Sequence, residues 1–174
     1  PGLLSMRGST VPTWKANTCD EIDEFFTWFF GSNETKNFDT LAVDSGSFMA
    51  DVYLQAAIKN NKHGLAAYGE MASKCMTHFR ALYYTQEKHV YLVAKENIVD
   101  NVKRPYFPGN QLNAEAPGLY DFILHLGIKN IPGMGQTKAF QCIETYDTMA
   151  RARTGNLNEY EEPHVGKLIQ KAMS

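Results

Sequence analysis

The 174-residue sequence predicts an α/β fold: a mostly parallel sheet flanked by helices, with an antiparallel C-terminal hairpin. Three observations carry this. Apolar strand-like runs alternate with helix-period stretches, the joints between them are short, and two extended runs near the C-terminus can face one another.

"GLLSM", Gly2 to Met6, reads as a short strand. Asn17 to Gly31 predicts a helix, with Thr18 as its cap, acids in the first turn, and Ile22, Phe25, Phe26 and Phe29 on one face. "TLAV", Thr40 to Val43, is short and continuously apolar, as expected of a parallel strand buried on both faces. A second helix is expected over Leu65 to Thr85, where Tyr68, Ala72, Cys75, Phe79 and Leu82 recur at steps of three or four and Lys74 and Arg80 fall off the stripe. "HVYLVA", His89 to Ala94, is β-branched and aromatic and reads as the next strand. Asn97 to Gly118 is rich in Pro, Gly and Asn and reads as a loop. Tyr120 to Leu126 reads as a strand, Lys138–Tyr146 and Thr148–Arg153 as a hairpin, and His164 to Met173 as a closing amphipathic helix.

Composition bounds the class. With 44% hydrophobic and 12% aromatic residues, one compact domain over residues 1–174 is expected. The loop signals at Gly31–Asn37, Lys59–Gly64 and Asn130–Thr137 punctuate that domain and do not divide it. A net charge of −2 excludes a surface that grips nucleic acid all round, although a local basic patch is compatible with it. Cys19, Cys75 and Cys142 show no CxxC or Cys/His spacing, which predicts reduced thiols in a cytoplasmic setting and neither a disulfide frame nor a zinc site. No apolar run reaches membrane-spanning length, so the chain reads as soluble, without a membrane partner.

Ligands of an open parallel sheet collect beyond the carboxyl ends of its strands. Asp44 stands at such an end, where a carboxylate suits a magnesium ion that keeps waters and bridges phosphates; its alternative role is to cap the next helix. Lys95, Glu96 and Asn97 follow the neighbouring strand, where polar groups sense a γ-phosphate or orient water, or simply face solvent. Arg151 and Arg153 share one side of an extended run by period two, suited to phosphate oxygens or to guarding a sheet edge. Asn101 to Asn113 mixes Lys103 and Arg104 with Tyr106 and Phe107, the combination of charge and stacking that single-stranded nucleic acid uses; the alternative is a long loop with two buried aromatics. His63, His78, His89, His125 and His164 lack ligand spacing and default to structural or surface roles. No serine-hydrolase elbow is present.

In this order the segments resemble the phage-encoded RecA-like P-loop ATPases of single-strand annealing and recombination. "TLAVDSGS" is similar to that family's Walker B strand. "YGEMASKCMTHFRAL" and "HVYLVAKEN" resemble the helix and strand that follow it, "RPYFPGNQLNAEAPGLYDFILHLG" its Pro-Gly loop, and "ARARTGNL" its late basic segment. The resemblance implies a RecA-like sheet with Asp44 as the magnesium-side acid accompanied by Ser45. It also implies Lys95 and Glu96 as phosphate sensors and Arg153 as a finger or phosphate contact; Asn97, at the same strand end, is a further candidate for holding the nucleotide. ATP and magnesium would be the cofactors, single-stranded DNA a partner, and the host cytoplasm the location, with self-association of the whole protein. The family's GxxxxGK[ST] loop is absent; "GMGQTK", Gly133 to Lys138, has the wrong spacing and precedes a strand. The first strand and phosphate loop are thus missing, and the sequence reads as part of a longer protein that binds ATP weakly or not at all by itself. Two further readings compete: a non-catalytic single-stranded DNA or protein binding module on the same scaffold, and a metal-dependent nuclease using Asp44, Glu96 and Lys95.

Overall fold

The computed structural model describes residues 8–60, 63–85, 87–133 and 135–174. The strand expected at Gly2–Met6 lies outside them. The chain forms two compact units, Pro1–Lys95 with Tyr106–Ala116, and Glu96–Pro105 with Pro117–Ser174.

The first unit is mainly helical. Helix α1 (Cys19–Gly31) begins at a capping box: the Thr18 hydroxyl accepts from the Glu21 amide, and the Glu21 carboxylate accepts from the Thr18 amide. Its buried face carries Ile22, Phe26 and Phe29. After a 3₁₀ turn at Asn33–Asn37 come strand β1 (Thr40–Asp44), helix α2 (Gly46–Lys59), helix α3 (Leu65–Tyr83) and strand β2 (His89–Val93). Helix α4 (Asn110–Glu115) completes the unit.

Helix α2 was not foreseen, although Met49, Ala50, Tyr53, Leu54 and Ala57 fall on one buried face at helical spacing. In α3 the expected stripe is buried at Ala72, Cys75, Phe79 and Leu82, whereas Tyr68 is 44% exposed. Strands β1 and β2 pair in parallel, from Thr40 opposite His89 to Asp44 opposite Val93. β1 alternates exposed and half-buried residues instead of being buried on both faces.

This two-stranded pair is the only parallel sheet among the described residues, which overturns the expected mostly parallel, RecA-like sheet. Short connections account for part of this: parallel neighbours need a crossover of a dozen or more residues, whereas Val99 is joined to Val102 by two residues and Ile131 to Gly135 by three, which suits antiparallel pairing only. Strands β3 (Lys95–Val99) and β4 (Val102–Tyr106) form a hairpin over Asp100 and Asn101, both with positive φ (53° and 64°), inside what reads in sequence as a loop.

In the second unit, strand β5 (Phe122–Ile123) pairs with β8 (Arg151–Ala152), and β6 (His125–Ile131) pairs antiparallel with β7 (Gly135–Gln141), which also pairs with β9 (Tyr160–Glu161). The expected C-terminal hairpin is therefore replaced. Lys138–Gln141 belongs to β7 and pairs backwards with β6, because a short turn after Ile131 brings those strands together first. Helix α5 (Val165–Ala172) buries Leu168 and Ala172 against Cys142 and Leu157, with Phe122, Leu124, Phe140 and Ala152 around them. Among the described residues no helix is long and apolar enough to cross a membrane.

Candidate functional site

The segment Asp44–Ser47 divides its labour residue by residue. Ser45 accepts from the Phe48 amide at 3.1 Å and so caps α2, the role that sequence alone left open for Asp44. Gly46 sits against β2: a Cβ there would lie 2.7 Å from Leu92 Cδ1, so a larger residue at the start of α2 would have to push the Leu92 side chain aside. Ser47 is fully buried; its hydroxyl donates to the Tyr106 carbonyl at 2.6 Å and accepts from the Lys95 amide at 2.9 Å. These ties fix the backbone that follows Asp44, whose peptide to Ser45 is cis. The Asp44 carboxylate is exposed and has no side-chain partner among the described residues.

The other sequence-derived residues are already engaged. Lys95, exposed, lies 3.5 Å from the half-buried Asp51. Glu96 contacts His125 Nε2 at 2.5 Å within the second unit, and the other ring nitrogen of His125 is buried without a partner. Asn97 accepts from the next amide, Ile98. Arg153 donates to Asp121 and to the Gly118 carbonyl, both at 2.9 Å, and Arg151 to the Pro117 and Tyr120 carbonyls. The two arginines thus clamp one turn of their own unit.

Of the residues expected to meet nucleic acid, Lys103 is half-buried on β4 and Arg104 is exposed, with no side-chain partner among the described residues. Tyr106 is half-buried. Phe107 is only 2% exposed and sets its ring edge-on to Phe79, with centroids 5.8 Å apart. It is a core residue and has no face to offer a base.

A polar cluster that sequence reasoning did not assemble lies within the three long helices of the first unit. Asp23 Oδ1 accepts from the Tyr53 hydroxyl at 2.6 Å and faces His78 Nε2 at 2.9 Å, while Lys74 Nζ stands 3.2 Å from Oδ2. With the proton on Nε2, His78 donates to the same oxygen as Tyr53. Its ring stacks on Phe26 at 4.1 Å. Burial pushes the Asp23 carboxyl up, but hydrogen bonds from Tyr53, His78 and Lys74 outweigh it and hold it below its usual value. Burial lowers His78 against the opposing pull of Asp23, so the imidazole stays neutral at pH 7.

A cavity of about 180 Å³ adjoins the cluster, lined by Cys19, Asp20, Asn60 and Lys74 among others. The Cys19 thiol there is pushed up by burial and by Asp23, the opposite of nucleophile activation. The arrangement is suited to tying α1, α2 and α3 together. The available sequence signal was Lys74 and His78 four residues apart on one helix, with Asp23 breaking the apolar face of another.

Among the described residues no three His, Cys, Asp or Glu side chains converge to cage a metal. A lone free carboxylate such as Asp44 fits magnesium in its commonest protein mode, one or two carboxylates with waters and phosphate oxygens making up the rest. It does not supply a phosphate cradle.

Together these features define an α/β protein with an unpaired acid at the carboxyl end of a parallel strand pair. No family model matches the chain, and neither a curated protein nor a solved structure matches it.

Proposed function

We propose that the chain is the acid-bearing part of an ATP-dependent protein of single-stranded DNA recombination or annealing, with Asp44 on the magnesium side of the nucleotide. The observation that carries the reading is the Asp44 carboxylate. It is exposed, unpartnered and placed at the carboxyl end of a parallel strand whose next helix is capped by a different residue. The order of segments that resembles the phage recombination ATPases supports it; the sheet those proteins share is not part of the proposal. Magnesium fits Asp44, whereas the triphosphate needs amides and a lysine that these 174 residues do not offer. The expected affinity of the chain for magnesium-ATP is therefore low. Arg104 and Lys103 on the β3–β4 hairpin are the proposed DNA contacts, through phosphate and without Phe107.

A second reading is a non-catalytic single-stranded DNA binding module, favoured by the internal pairing of Lys95, Glu96 and Arg153. Isothermal titration separates the two. The first predicts weak ATP binding that requires magnesium and is lost in Asp44→Ala. The second predicts no magnesium-dependent nucleotide binding, with DNA affinity equal in both proteins.

A further inference from the structure

Strand β6 is bonded along one edge only. Its ladder to β7 runs unbroken from His125 opposite Gln141 to Ile131 opposite Gly135, and among the described residues no backbone group pairs with its other edge. An open edge of seven residues is a template for another strand, and folded proteins usually blunt such edges with a bulge, a proline or a free charge. β6 has none of these. It contains no proline and its register shows no bulge. Its one lysine, Lys129, is held at 2.6 Å by the Gln141 side chain, and His125 is held by Glu96. By the two-residue period Leu126, Ile128 and Asn130 share the opposite face, where Leu126 is 56% and Ile128 69% exposed.

We infer that this edge is an interaction surface whose occupant is the β6 edge of a second copy of the chain. The strand complements itself: in antiparallel pairing about a two-fold axis at Ile128, isoleucine meets isoleucine, Leu126 meets Asn130, Gly127 meets Lys129, and no like charges face one another. The paired edge is about 24 Å long, which places the contact in the small, reversible class of interface and makes the dimer concentration-dependent. The inference is independent of the nucleotide reading, since Asp44 takes no part in it.

Sedimentation equilibrium from micromolar to near-millimolar chain tests it. The expected result is a weight-average mass rising from 19.6 kDa toward twice that value, with Ile128→Lys holding the monomer mass because two lysines then meet at the axis. A monomer throughout the range overturns the inference, as does a dimer that survives Ile128→Lys. If far-UV circular dichroism shows that Ile128→Lys has lost the fold, Ile128→Cys decides in its place. In a Cys19→Ser background, where Cys75 and Cys142 are both fully buried, a short bifunctional maleimide should give a covalent dimer; no such dimer overturns the inference.

Discussion

Replacing Asp23 with alanine removes the acceptor on which Tyr53, His78 and Lys74 converge. A hydrogen bond from a neutral donor to a carboxylate contributes about 1.5–3 kcal/mol when buried. The Tyr53 and His78 bonds qualify on the donor side, with Tyr53 3% exposed, but the Asp23 side chain is 37% exposed and solvent screens roughly half of each. The exposed Lys74 pair adds less than about 1 kcal/mol. The expected cost of Asp23→Ala is about 2 kcal/mol, and that of Tyr53→Phe about 1 kcal/mol. Because both remove the same bond, the double variant should cost about 2 kcal/mol, a coupling of about 1 kcal/mol. Urea unfolding followed by tryptophan fluorescence is the assay, since Trp14 and Trp28 are the chain's two tryptophans and both lie in the first unit. Additivity of the two single variants to within about 0.3 kcal/mol would refute the shared-acceptor geometry.

The same cluster sets a pH dependence. The folded pKa of His78 lies below its unfolded value of about 6.5, so the unfolded chain takes up the proton first and first-unit stability falls as pH drops from about 6.5 toward the folded pKa. Asp23, whose folded pKa is depressed, contributes stability above its unfolded value of about 3.9 that is lost as pH falls through the folded pKa. Midpoints of urea unfolding across pH should therefore decline in two windows, and His78→Phe should flatten the upper one. Thr18→Ala should cost about 1 kcal/mol by removing the capping box of α1, read by the same fluorescence. Phe107→Ala should cost about 3–5 kcal/mol of thermal or urea stability as a core truncation. Arg104→Ala should leave stability within about 0.5 kcal/mol while reducing the salt slope of single-stranded DNA binding by about one. The reverse pattern for these two residues would return Phe107 to the binding surface.

What was legible in sequence follows which forces are local. The α1 cap, the α3 stripe and the terminal helix were readable because capping and helical periodicity act within a few residues. Helix α2 was overlooked because its apolar positions follow directly on the small polar residues after β1, which read as a strand end. The antiparallel hairpins were misread for a different reason. Asp100 and Asn101 form a turn only because both adopt positive φ, and β6 takes β7 as its partner through a short turn, whereas the sequence suggested pairing further along.

Of the site, Asp44 was singled out by its place after an apolar run, and the structure leaves that carboxylate open. The roles of Ser45, Gly46 and Ser47 depend on Phe48, Leu92, Lys95 and Tyr106, most of them far away in sequence. The Asp23–Tyr53–His78 cluster was missed for the same reason: its members stand 25 to 55 residues apart, and the local spacing of Lys74 and His78 does not by itself point to Asp23 or Tyr53.

The most direct test of the central claim is paramagnetic broadening in the ¹⁵N-labelled chain on titration with manganese-ATP, manganese standing in for magnesium. The account predicts broadening centred on the amides of Asp44, Ser45 and Gly46, abolished by Asp44→Ala and absent with ATP alone. Broadening centred on another part of the chain, or the same pattern in Asp44→Ala, would contradict it.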